Sequence, residues 1–98
     1  MKKVRKTTGN GSARKGSIHL QFEEPNARDV CIAGTFNQWN PQATPMVSLG
    51  NGRWSKELAL PSGRYEYKFV VDGTWISDPN ASETAPNPFG PPNSVLQV

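Results

Sequence analysis

A chain of 98 residues with 35% hydrophobic content has the length of a single domain with a modest core, near the size at which burial becomes marginal. Eleven Lys and Arg stand against eight Asp and Glu; no apolar run approaches the roughly 20 residues that cross a bilayer, and no apolar segment follows the lysine-rich start as in a secretory signal. A cytoplasmic protein is therefore expected, and the single Cys31 and single His19 exclude an internal disulfide and fall short of a four-ligand zinc site.

Residues 1 to 16 carry Lys2, Lys3, Arg5, Lys6, Arg14 and Lys15 and no carboxylate. Five basic residues then remain against all eight acidic ones, so residues 17 to 98 are net negative. With Gly9, Gly11, Gly16 and almost nothing apolar, the stretch 1–16 has too little to bury to offset its ordering entropy and reads as a disordered basic tail. Without interleaved aromatics it makes a poor nucleic-acid arm, so nucleic acid is not the expected partner.

From Ser17 the period becomes two. Ile18, Leu20 and Phe22 alternate with His19 and Gln21, the pattern of a half-buried strand that leaves His19 on the other face. Pro25, Asn26 and Asp29 mark a loop, and "VCIAG" is a short buried strand with Cys31 as a small core or near-core side chain. "GTFNQWNP" (34–41) then places Trp39 among amides, a glycine and a proline, where no period would bury it. Gly50, Asn51 and Gly52 split the next two apolar runs as a hairpin. Trp54 shares parity with Leu58 and Leu60 and belongs on the core face.

The next hairpin can be registered on paper. Tyr65, Tyr67, Phe69 and Val71 alternate with Glu66, Lys68 and Val70, and Asp72 and Gly73 form a two-residue turn. Val71 then faces Thr74, Val70 faces Trp75 and Phe69 faces Ile76. Directly paired residues share a sheet face, so Ile76 joins the core while Trp75 goes outward with Val70, near Lys68 and Glu66. A long proline-rich loop follows, with Phe89 between Pro88 and Gly90, and "SVLQV" closes the chain as a strand. Strands at 17–22, 30–33, 46–49, 53–60, 64–71, 74–77 and 94–98, with no helical period, predict an antiparallel sandwich over residues 17–98.

Trp39, Trp75 and Phe89 are thus expected in loops or on an outward face, beside Asn and Lys side chains. A sugar ring matches such a set, since its C–H face stacks on an indole while its hydroxyls seek amide and ammonium partners. "VCIAGTFNQWNP", "LPSGRYEYKFVVDGTWISDP" and "FGPPNSVLQV" resemble, in order and spacing, the family 48 carbohydrate-binding module. That family includes the glycogen-binding domain of the AMP-activated protein kinase beta subunit and the N-terminal domains of branching and debranching enzymes. The resemblance implies an early-set immunoglobulin-like β-sandwich that binds α-1,4-glucans such as glycogen, starch, maltooligosaccharides and cyclodextrins. It places the two stacking tryptophans on Trp39 and Trp75, the sugar-binding lysine on Lys68, a late asparagine on Asn93, and an apolar residue that enters a cyclodextrin ring on Phe89.

The chain departs from the kinase pattern at Pro91 and Pro92, where a threonine follows the glycine in the kinase version; one hydroxyl contact is thereby lost and the loop stiffened. Neither the kinase subunit's later segment nor the catalytic barrel of branching enzymes is represented, so the expectation is a free-standing, non-catalytic module that requires no cofactor or metal. Glycoside hydrolysis needs two carboxylates about 5 to 9.5 Å apart across a cleft, and Glu57, Glu66, Asp72 and Asp78 single out no such pair. The competing reading is an immunoglobulin-like module whose aromatics anchor a protein partner, such as a glycogen-metabolising enzyme that it regulates.

Overall fold

The computed structural model of the protein describes residues 15–98. Most of the expected basic tail lies outside these residues, but Lys15 and Gly16 already belong to the first strand, so the strand starts two residues before the boundary expected at Ser17. Eight strands follow in chain order: β1 (Lys15–Glu23), β2 (Val30–Gly34), β3 (Val47–Gly50), β4 (Arg53–Pro61), β5 (Arg64–Val71), β6 (Thr74–Ile76), β7 (Thr84–Ala85) and β8 (Asn93–Gln97). One 3₁₀ turn, Thr35–Asn37, lies after β2.

The strands form two antiparallel sheets, as expected of an immunoglobulin-like sandwich. A three-stranded sheet has the order β1, β4, β3; the other has the order β2, β5, β8, β7, with β6 also paired to β5. Seven strands were expected. The eighth, β7, is only two residues long and is followed by Pro86, too short to display alternation.

Packing follows the period-two pattern. Leu20 and Phe22 of β1 and Trp54 and Leu58 of β4 meet Val30 and Ile32 of β2 and Tyr67 and Phe69 of β5, and Met46 belongs to the same cluster. The Phe22 and Phe69 rings lie 4.8 Å apart across the two sheets, within the range of favourable aromatic pairs. Trp54 is buried in this core, where the alternation had put it. Tyr65 is only half-buried; its ring meets Phe36 edge-on, and its hydroxyl donates to the Pro61 carbonyl at 2.7 Å.

The β5–β6 register is the one worked out from the turn. Val71 pairs with Thr74, Val70 with Trp75 and Phe69 with Ile76, and Ile76 packs against the core. Asp72 and Gly73 both have positive φ, 49° and 87°, as a primed hairpin turn requires. The Asp72 carboxylate also accepts from the backbone N–H groups of Arg28 and Asp29, at 3.0 and 2.8 Å. The turn is thereby tied to the loop that enters β2.

The outer face of the five-stranded sheet differs from expectation. Alternation puts Lys68 and Val70 on the solvent side, yet both are buried, and Cys31, Ala33 and Val70 form a second apolar cluster with Trp39 packed on it. The sheet therefore carries a thin apolar layer on its outside. The Cys31 thiol within it is free, and burial, then the nearby Asp29 carboxylate, raises its pKa.

Candidate functional site

The corner that carries Trp39 is built from side-chain hydrogen bonds rather than from regular structure. Asn37 accepts from the Gly34 N–H through Oδ1 at 3.0 Å and donates through Nδ2 to the Ile32 carbonyl and to Thr44 Oγ1, both at 2.9 Å. The Trp39 N–H then donates to the Gly34 carbonyl at 2.9 Å. Gln38 and Trp39 both sit at φ 57°, a left-handed conformation that costs a non-glycine residue roughly 1 to 2 kcal/mol. The Asn37 bonds and the packing of the indole on Cys31, Ala33 and Val70 hold it there. Gly34 is required for a different reason: a Cβ at that position would lie 2.6 Å from the Glu66 carbonyl and 2.9 Å from Tyr67 Cβ, too close for any real contact. The chain leaves β2 tight against β5 and turns the indole back over the sheet.

Two rows of side chains make the floor beneath it. Cys31, Val70 and Trp75 lie side by side across β2, β5 and β6, and Ala33 lies beside Lys68 in the next row. The small residues on β2 let Trp39 approach closely, while Trp75 remains 39% exposed. Lys68 is 5% exposed, and burial lowers its pKa. Its ammonium makes no hydrogen bond or ion pair among the described residues. A buried cation without a protein partner is uncommon, because desolvation opposes its charge. Its donors are available to a bound acceptor.

The far wall comes from the proline-rich loop and β8. Phe89, 94% exposed, stands on a short turn in which its own N–H donates to Asn87 Oδ1 at 3.0 Å and the Gly90 N–H to the Asn87 carbonyl at 3.3 Å. Asn93 Nδ2 donates to Glu66 Oε1 at 2.9 Å, and Asn87 Nδ2 donates to Asn93 Oδ1 at 3.3 Å. The second Glu66 oxygen pairs with Arg64 at 3.0 Å. The Asn93 bond, and after it the Arg64 contact, holds the Glu66 carboxyl below the usual carboxylate range.

Trp39, Lys68, Trp75, Phe89 and Asn93, the five residues singled out in the sequence, line one groove of about 530 Å³. Thr35, Glu66 and Asn87 line it as well and were not among them. Glu66 could have been found, since it alternates with Lys68 on the outward parity of β5. Thr35 opens the short 3₁₀ turn and Asn87 lies in a loop, where no strand period marks a direction. Thr35 also accepts the Glu66 N–H at 3.3 Å, which joins the Trp39 corner to the strand.

A larger hollow, about 670 Å³, is lined by residues of β1, β8 and the loop after β6. Its buried Asp78 is already engaged, accepting the Tyr67 hydroxyl at 2.6 Å and the Asn80 N–H at 2.8 Å, while burial, then Asp78, raises the Tyr67 pKa far above normal. These bonds brace the fold, and the exposed aromatics lie elsewhere. Among the described residues, no group of three or more His, Cys, Asp or Glu side chains is placed to hold a metal ion, and no helix is long and apolar enough to cross a membrane.

Comparison with known proteins points the same way. Residues 17–98 match the model of the glycogen recognition site of AMP-activated protein kinase. Over 85 residues, 87% of this chain and 23% of the relative, the chain is 31% identical to the amyloplastic phosphoglucan phosphatase DSP4 of Castanea sativa. It is 35% identical over 82 residues to the chloroplastic protein FLOURY ENDOSPERM 6 of Oryza sativa subsp. japonica, covering 84% of this chain and 15% of that protein. To the beta-2 subunit of human 5'-AMP-activated protein kinase it is 34% identical over 71 residues, 72% of this chain and 25% of the subunit. The chain thus spans a quarter or less of these three relatives. With a family match over residues 17–98, the chain belongs to the family of the AMP-activated protein kinase glycogen recognition site.

Proposed function

We propose that the groove binds α-1,4-glucans, with Trp39 and Trp75 as stacking platforms, Phe89 as an apolar projection at the rim, and Lys68 and Asn93 as hydrogen-bonding partners of sugar hydroxyls. The observation that carries this reading is the convergence of two indoles, a phenyl ring, an ammonium and a carboxamide on one groove. An indole face accepts the C–H side of a pyranose. The ammonium supplies donors only, whereas the carboxamide supplies both donors and acceptors, and a ring of hydroxyls can use both. Family membership supports the glucan class.

Binding rather than cleavage is the role the groove fits. Glycoside hydrolysis uses two carboxylates, and Glu66 is the one carboxylate among the described residues lining the groove, already bonded to Arg64 and Asn93. We assign the chain no activity of its own; the partner class it serves is a glucan-metabolising enzyme, as the phosphoglucan phosphatase among its relatives suggests. A free, buried Cys31 is compatible with a reducing compartment, which includes the cytoplasm expected above and the plastids for which two relatives are named.

Titration with β-cyclodextrin and glycogen, followed by tryptophan fluorescence, tests the proposal. A saturable change that depends on Trp39 and Trp75 is expected, with little dependence on salt because neutral sugars release few counterions. Salt-sensitive binding to DNA with no response to either glucan would overturn it.

A further inference from the structure

The groove contains a hydrogen-bond chain whose direction is determined at both ends. At one end Glu66, held ionised by Arg64 at 3.0 Å, can only accept. It therefore takes Asn93 Nδ2, at 2.9 Å, and turns Asn93 Oδ1 toward Asn87 at 3.3 Å. Asn87 must then present Nδ2 to Asn93 and Oδ1 to the other side. There it meets the Phe89 backbone N–H at 3.0 Å, a group that can only donate. An acceptor-only carboxylate and a donor-only amide thus leave both intervening carboxamides a single orientation. The sense of the chain also decides what Asn93 can offer. Each carboxamide has two N–H donors and two acceptor lone pairs, and one of each is used in the chain. Asn93 therefore keeps one donor and one acceptor in fixed positions, the complement of two neighbouring hydroxyls, one accepting and one donating.

We propose that Glu66 and Asn87 are positioning residues for glucan recognition: together they orient the Asn93 carboxamide toward a vicinal diol and tie the Phe89 turn to the groove floor. This role rests on the glucan-binding reading above. It assigns Glu66 to the site through Asn93 rather than through contact with the sugar. It also explains why an acidic side chain lies in a groove that otherwise offers amides, aromatics and one ammonium.

β-Cyclodextrin titrations of the full chain, its Glu66→Ala, Glu66→Gln and Asn93→Ala variants and the Glu66→Ala, Asn93→Ala pair test it, with a urea melt of each variant as a check on folding. Glu66→Ala should weaken binding about tenfold, the scale of one lost charge-assisted hydrogen bond, while Glu66→Gln, which can still accept from Asn93, should restore most of it. On the Asn93→Ala background, Glu66→Ala should add less than about a twofold loss, since the residue it orients is gone. Binding equal to the parent in Glu66→Ala, or the same penalty with and without Asn93, would overturn the positioning role and leave the glucan-binding function standing. A parent chain that bound no glucan would overturn both.

Discussion

The two faces of β5 are buried by different means. On the inner face, Tyr67 and Phe69 are covered by the opposite sheet and touch mostly apolar side chains, Tyr67 turning its hydroxyl to Asp78. On the outer face, a folded-back loop lays the Trp39 indole over Val70 and the small residues beside it, and Glu66 and Lys68 line the groove next to it. Both faces lose solvent, but only the outer one holds a cation that has no hydrogen-bonding or ionic partner among the described residues, together with a chain of carboxamides. Burial alone therefore does not separate core from site in a sandwich this small. The chemistry of what is buried does.

The largest expected effect belongs to the inner face. Trp54→Ala should cost roughly 3 to 5 kcal/mol of stability in urea melts, the range for truncating a core aromatic, and glucan binding should fall only as far as the protein unfolds. Loss of binding in a fully folded Trp54 variant would erase the distinction between the faces.

Trp75→Ala should do the reverse, weakening glucan binding by about 2 kcal/mol, as interface anchors do, with less than about 1 kcal/mol of stability lost. Trp39→Ala should lose similar affinity, but its indole is half-buried on Cys31, Ala33 and Val70, so about 2 kcal/mol of stability should go with it, short of the full core range. Urea midpoints of the two variants should therefore differ while their affinities match.

Lys68 sharpens the comparison further. Lys68→Met keeps an apolar stem and removes a charge that burial opposes, so it should weaken glucan binding by roughly 1 to 2 kcal/mol while raising the urea midpoint. The pH dependence has the same logic. The folded-state pKa of Lys68 is lowered, so the folded chain binds this proton less tightly than the unfolded one. Stability from this group should rise as pH climbs through the folded value, just where the charge that serves the glucan is lost. Opposite slopes of stability and affinity at alkaline pH are expected; parallel slopes would mean that the ammonium is structural.

The smallest effect concerns Glu66, whose pKa is lowered first by Asn93 and then by Arg64. A depressed carboxyl contributes stability that is present above its unfolded pKa and lost as pH falls through its folded one. Affinity for β-cyclodextrin should therefore be flat from pH 8 to about 5 and decline only in the acid range below the ordinary glutamate value. A decline centred near neutral pH would point away from Glu66.

Much of this comparison was legible in the sequence where the chain obeys a short-range rule. The Asp72 and Gly73 turn determined the pairing of Val70 with Trp75 and thereby which face Trp75 occupies, and the parity of Trp54 with Leu58 put it in the core. The burial of Lys68 was not legible, because it depends on the return of the 35–39 corner over β5, a contact made across some thirty residues. Nor was the Glu66, Asn93 and Asn87 chain, which joins a strand, a loop and the last strand through side-chain bonds. Periodicity reports which way a residue points. What later covers it is a tertiary matter, as the outer cluster under Trp39 illustrates.

The three tryptophans allow the central claim, that the outer face of the five-stranded sheet holds the glucan, to be read from one experiment. In a two-dimensional ¹H–¹⁵N NMR titration with β-cyclodextrin, the indole N–H signals of Trp39 and Trp75 should shift together and saturably, along with the backbone amides of Phe89 and Asn93, while the Trp54 indole stays in place. Shifts confined to Trp54, or to the β1 and β3 amides of the opposite sheet, with Trp39 and Trp75 unmoved, would contradict it.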